Sequence, residues 1–353
     1  MTRTSDALDR LRAADPVGPH EPAHRSVVPP SLSSGNATTP RHRGMRVAVS
    51  AVAVVAVGAA AFLLMPGGAV TASDARAVES LLAAGKAAAA AVDGPLKPGQ
   101  RIYSETRSAS FTQVTLPDGS TASYLAAPRV SQSWIAADGA MTRLEDVDGV
   151  PWYPTARDRA KVLAAQQGSK GPSDVPGISD RSVVRIPAYD GTLNAPTYDF
   201  ARTLPTDPAT LEQRIRQDTA GAGEDADVEV WVTVRDMLLS PVSPPALRAA
   251  LYQVAADVPG VRYLGSTTDR LGRHGVAVGL SHGDDTHARA TEVMVFDPTS
   301  GLLLQSEERA DDPAQWGLPA SAKGTLVGWT VWVRSAVVDG VGVRPDGSHA
   351  DLG

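Results

Sequence analysis

One stretch of the chain matches a catalytic pattern: Gly279-Leu280-Ser281-His282-Gly283 fits G-x-S-x-G. In that arrangement a serine on a sharp strand-to-helix turn is the nucleophile. Backbone N–H groups hold the oxyanion, and an acid and then a histidine follow later in the chain. Asp297 and His349 stand in that order. However, Gly283 leads into Asp284-Asp285-Thr286-His287 and another strand pattern, so the required helix is missing. In a chain with 32 glycines such a match also arises cheaply. An extracytoplasmic serine hydrolase using Ser281 is therefore the alternative reading, and a non-enzymatic one leads.

The same loop offers His282, Asp284, Asp285 and His287 as imaginable metal ligands. Their loop spacing enforces no geometry and nothing nearby supplies a fixed third ligand, so a solvated hairpin loop is expected. His274, in Arg270-Leu271-Gly272-Arg273-His274-Gly275, reads as a turn residue. The chain has no P-loop, no dinucleotide-binding glycine motif and no H-E-x-x-H, and no metal or cofactor is implied.

Composition narrows the classes further. The chain has 353 residues, net charge −6 and no cysteine, which removes disulfides, thiolate catalysis, Cys-ligated zinc and a lipid-modified cysteine anchor. Residues 1–46 carry seven Arg against four acidic groups, leaving the remainder at net −9, the wrong sign for a nucleic-acid partner. The six Trp lack interleaved basic residues and are expected as core or cavity wall.

The elements that must position any site begin with Val47–Met65, 19 residues without a charge. At 1.5 Å per residue this gives roughly 28 Å of helix, enough for one membrane span. Arg41, Arg43 and Arg46 precede it, so a cytoplasmic N-terminus and an extracytoplasmic bulk are expected. A cleavable signal peptide ending near Ala72 is the rival reading. The layout is then a mostly disordered cytoplasmic tail over 1–46, the span over 47–65 and a juxtamembrane helical connector over 66–92. An α+β domain over 93–340 and a polar tail over 341–353 complete it.

Within the domain, alternation predicts strands at 101–111, 123–126, 129–136, 141–146, 183–186 and 197–203. Helices are expected at 155–167, 208–218, 225–239 and 244–258, the last started by Ser243-Pro244-Pro245. An antiparallel meander follows from Val261 to Val338, with a tight hairpin at Asp297-Pro298-Thr299-Ser300-Gly301. Several of its strands lack a polar face, since Val293 and Val295 point one way and Met294 and Phe296 the other, so both faces must be covered. Helices account for much of this, and Met294, Phe296, Trp329 and Trp332 are expected to line an apolar cavity for a lipid or similar ligand.

The LPTDPATLEQRIRQ segment at Leu204, the LLSPVSPPALRAALYQVAADVPGVRYLG run at Leu238 and the MVFDPTSGLLLQSEE hairpin at Met294 resemble an uncharacterised actinobacterial family of single-pass membrane proteins. Its members are often encoded beside extracytoplasmic-function sigma factors. The resemblance implies an exported domain similar to the LolA/LolB lipoprotein-carrier fold, a curved antiparallel half-barrel covered by helices. The anchor, the two-sided apolar sheet and the lack of a catalytic constellation point to a non-enzymatic, membrane-anchored cell-envelope protein whose outer domain binds an apolar ligand or an envelope or sigma-factor-linked partner. A regulator acting only through cytoplasmic residues 4–14 is a third reading.

Overall fold

The computed structural model describes residues 72–116, 119, 121–168, 181–223, 225–284 and 287–353. Ten antiparallel strands lie among them: β1 (Arg101–Thr115), β2 (Thr121–Leu125), β3 (Arg129–Ile135), β4 (Met141–Val147), β5 (Arg181–Ile186), β6 (Arg262–Thr268), β7 (His274–His282), β8 (Ala290–Asp297), β9 (Leu302–Ala310) and β10 (Leu326–Val338). They form one sheet in the order β5-β4-β3-β1-β10-β9-β8-β7-β6, with β2 paired to the far end of β1. The helices are α1 (Ala72–Ala90), α2 (Ala156–Gly168), α3 (Tyr198–Ala201), α4 (Pro208–Asp218), α5 (Ala226–Leu239) and α6 (Pro245–Asp257).

Local chemistry sets the helix starts. Asp207 accepts the Thr210 N–H ahead of Pro208, and Asp225 accepts the N–H groups of Asp227 and Val228. The valines at 228, 230, 232 and 234 alternate as a strand would, yet Val230, Trp231, Val234, Met237 and Leu238 are buried together, a helical face. Residues 197–203 depart from the expected strand. Thr197 Oγ1 accepts the Phe200 N–H at 3.1 Å, and this cap opens the single-turn helix α3 instead.

One apolar core joins α1, α4, α5 and α6 to a single face of the sheet, through Leu81, Leu211, Ile215, Trp231, Leu251 and Tyr252 against Val278, Met294 and Phe296. The helix expected as a connector belongs to this core, with Ala77, Leu81, Ala84 and Ala88 fully buried and α1 packed on α6. The β8–β9 turn rests on it. Asp297 accepts from Thr299 and Ser300, and these bonds outweigh burial, which alone would push its carboxyl up, and hold it below the usual range.

The opposite face is covered by irregular chain. The β6–β7 turn is locked by Asp269, whose carboxylate accepts the backbone N–H groups of Leu271 and Arg273 and Arg273 Nε at 2.6 Å. Arg273 then donates to the Trp332 carbonyl at 2.5 Å, and the Arg270 guanidinium stacks 4.3 Å from the Trp329 ring centre. Farther along, residues 339–353 cross the same face as a strap. Trp134 Nε1 donates to the Val343 carbonyl at 2.6 Å, and Val343, Ala350 and Leu352 cover Tyr103, Trp134 and Leu144.

Two expectations are corrected here. The sheet runs open from edge β5 to edge β6 and is neither closed nor strongly curved, so it is not the half-barrel expected. Its open order follows from helices stacked on one half of one face, with no strand bringing β6 back to β5. The span Val47–Met65 lies outside the described residues, and among the described residues no helix is long and apolar enough to cross a membrane. A single-pass topology with defined sides, and the cell-membrane localisation drawn from it, therefore have no support in the structure.

Candidate functional site

At one edge of the sheet β7 outruns its neighbour. The β6–β7 ladder ends at Arg262 opposite Gly279, whereas β7 pairs with β8 as far as His282 opposite Ala290. Beside this overhang lies an open cleft of about 610 Å³, lined by Asp225, Asp227 and Val228 of the α5 start, by Pro259, Gly260 and Arg262, and by Leu280 and Ser281. Gly260 takes φ +83, which lets the chain leave α6 and enter β6 in a tight turn above Leu280.

Charges on its walls are unevenly engaged. Asp227 is paired with Arg216 at 2.5 Å, and the N–H groups at the α5 start are taken up by Asp225 Oδ1 at 2.7 and 3.2 Å. That helix end thus offers no anion site. Arg262 is exposed and makes no ion pair among the described residues.

Ser281 is brought to this cleft, but not as an activated nucleophile. Its Oγ lies 2.7 Å from Thr291 Oγ1, which itself donates to Asp311 Oδ2 at 2.7 Å, so Ser281 donates its proton to a hydroxyl rather than to an imidazole. It sits within strand β7, not on a strand-to-helix turn. Asp297 is engaged with Thr299 and Ser300 in the β8–β9 turn, and His349 lies in the C-terminal strap. The hydrolase constellation is therefore not assembled around Ser281.

The imagined metal ligands separate too. His287 N–H and Nδ1 meet Asp284 Oδ1 at 2.8 and 3.2 Å in a turn, while His282 Nε2 is 3.9 Å from Glu292 on the helix side of the sheet. Asp285 lies outside the described residues, and no group of three metal-ligating side chains occurs among the described ones.

The four expected cavity residues are not gathered in one place. Met294 and Phe296 are fully buried under the helices, Phe296 with its ring 5.5 Å from Tyr252. Trp329 is on the other face beneath Arg270, and Trp332 follows at opposite strand parity, half-buried. The apolar rows are satisfied by packing, helices on one side and turn and strap on the other.

Sequence reasoning missed a buried charge cluster at the foot of α5. Arg235 bonds Asp236 at 2.9 Å and also pairs with Glu292, with His282 and Glu308 close by. The signal was present: Glu292 shares the parity of Met294 and Phe296, so it faces the helices and requires a cationic partner. Burial raises the Asp236 carboxyl despite Arg235, and burial together with Glu292 raises that of the half-buried Glu308.

A folded-state value above the ordinary one means stability present at low pH and lost as pH rises through the raised value. Glu308→Gln should therefore match the parent in thermal melts near pH 4, below the ordinary 4.5, and melt higher at pH 8. An equal shift at both pH values would show that Glu308 does not titrate against its surroundings.

No protein-family model and no curated protein sequence matches this chain. Two solved structures are similar over most of it. The Pseudomonas aeruginosa MucA/MucB complex is 14% identical with TM-score 0.25, covering 78% of this chain and 61% of that one. MucB in complex with periplasmic MucA is 12% identical with TM-score 0.24, covering 79% and 60%. The chain thus spans about three fifths of the length of the chains it matches, and a likeness this distant assigns neither fold nor activity.

These results correct the expected family. The single-pass membrane family and its carrier-like half-barrel lack a family match, a described span and a strongly curved sheet. The anchored envelope protein with a membrane-side, lipid or sigma-factor-linked partner falls with them.

Proposed function

We propose that this chain is a non-catalytic binding module that docks an extended polypeptide segment in the cleft between the α5 start and the end of β7. The observation that carries this reading is the overhang. The β6 ladder stops opposite Gly279, so Ser281 pairs with β8 and has no β6 partner, in a regular strand at the wall of an open cleft. Strand backbone exposed in this way is a template for main-chain pairing with another segment. The Ser281 hydroxyl, held by Thr291 and without an imidazole partner among the described residues, favours binding over acyl transfer.

The absence of cysteine makes a clean test possible. Ser281→Cys in the full chain would carry a single environment-sensitive dye, and peptides selected from random displayed decapeptides against the unlabelled chain would be titrated in. A saturable emission change is expected, with none when the dye sits at Ser348→Cys in the strap. Selected peptides that leave the dye at position 281 unmoved, or a selection that yields none, would overturn the reading.

A further inference from the structure

We infer that the part of the sheet formed by β1, β3 and β4 carries a site for an acidic sugar, whose carboxylate or phosphate group is held between Arg129 and Arg143. The site lies on other strands than the cleft and stands independently of the docking reading.

The helix-side face changes character along the strand order. Beneath the helices it is apolar, with Val278, Met294 and Phe296. Beyond β10 the paired rows turn to short hydroxyls. Arg143 is opposite Ser133, which is opposite Ser104, and Glu145 is opposite Ser131, which is opposite Thr106. Both rows share the parity of Ile102 and Ile135, which join the core under the helices, so they look to the helix side. The helices α1 and α5, however, make their sheet contacts on β6, β7 and β9. Ser104, Thr106 and Ser133 are buried. Serine and threonine rise little above the backbone, whereas Arg129, Arg143 and Trp332, which is opposite Thr106, stand taller around them. The result is a hollow with hydroxyls at its base.

Its rim carries excess positive charge. Arg129 Nη1 is 3.4 Å from Glu145 Oε2 and Arg143 Nε is 2.8 Å from Glu145 Oε1, so two guanidinium groups share one carboxylate. Neither contact is a strong hydrogen bond: the first is long, and the second lacks the alignment of donor and acceptor. Among the described residues no other ion pair holds either arginine. Their side chains are 17% and 15% exposed, so water screens the surplus cation poorly. Largely buried guanidinium groups with spare N–H donors call for a further acceptor. A carboxylate or phosphate bridging Arg129 and Arg143 supplies it and cancels the surplus charge. The body that carries this group rests on Ser104, Thr106 and Ser133, whose hydroxyls both donate and accept, as sugar hydroxyls do. An apolar body would strip those hydroxyls of water and offer no partner in exchange.

Isothermal titration calorimetry of the full chain with glucose-6-phosphate, glucuronate, glucose and inorganic phosphate tests the inference. At least one acidic sugar should bind saturably, with glucose and inorganic phosphate each about tenfold weaker. Preference for the phosphate ester or for glucuronate identifies the anionic group. Arg129→Gln and Arg143→Gln should each weaken that sugar about tenfold. Glu145→Gln should tighten it about threefold, because it removes the competing carboxylate, a gain that a purely structural role for Glu145 would not produce. Thermal melts of each variant separate lost binding from lost folding. No heat from either acidic sugar at millimolar concentration would overturn the inference. So would inorganic phosphate binding as tightly as the sugars, or an affinity unchanged by Arg143→Gln and Glu145→Gln in variants that melt like the parent.

Discussion

Arg235→Ala should cost the fold about 3–5 kcal/mol in urea denaturation of the full chain, because it leaves buried carboxylates without their cation. The Arg235 side chain is 16% exposed, Asp236 17% and Glu292 8%. Burial opposes the guanidinium charge, but Glu292 and Asp236 outweigh it and hold Arg235 ionised. With the arginine gone, Asp236, Glu292 and Glu308 crowd the foot of α5 with only His282 near them. Most of the loss is the penalty of unpaired charge. The double variant Arg235→Met with Glu292→Met should therefore lose less than Arg235→Ala alone. A loss under about 1 kcal/mol for the single variant would mean that water reaches the cluster.

Gly301→Ala should cost about 2–5 kcal/mol, summing the strain of a left-handed alanine and an overpacked contact. Gly301 has φ +66, and a Cβ there would lie 2.4 Å from the Ala84 carbonyl oxygen and 2.5 Å from the Ala88 nitrogen, both rigid backbone of α1. The turn and the helix would have to part, which loosens α1 from the core. Gly221 is the control: its φ is +79, but nothing lies within 4 Å of its would-be Cβ. Gly221→Ala should lose only the backbone part, roughly 1–2 kcal/mol. Equal losses at the two sites in thermal or urea unfolding would show that the contact with α1 contributes nothing.

Much of the secondary structure could be read from local chemistry. Asp207-Pro208, Asp225 and Pro244-Pro245 are start signals that act through adjacent backbone groups, and α4, α5 and α6 begin where they stand. Alternation likewise located the strands from β6 to β10. What covers the second face was not legible, because its cover is irregular: Arg270 and Leu271 in a turn, and Val343, Ala350 and Leu352 scattered through a Gly- and Asp-rich strap. Such segments have no period to read. The two-sided apolar pattern of β8 is compatible both with packed helices and with a cavity wall, and in the structure Met294 and Phe296 are fully buried under the helices.

The candidate site was legible only in part, through a motif whose triad geometry the structure does not assemble. Ser281 sits in a glycine-flanked pattern, yet its place depends on where β6 stops, a register fact that no short motif contains. Asp225, Gly260, Arg262 and Ser281 come from the start of α5, the α6–β6 turn and the ends of β6 and β7, so their meeting is a product of topology.

Amide hydrogen exchange on the full chain, with and without a saturating amount of a selected peptide, tests the docking claim most directly. Slowed exchange at Leu280–His282, accompanied by Asp225–Val228, is the predicted result. Protection confined to the other sheet edge, Arg181–Ile186, or no change at Leu280–His282 while the peptide is bound, would contradict it.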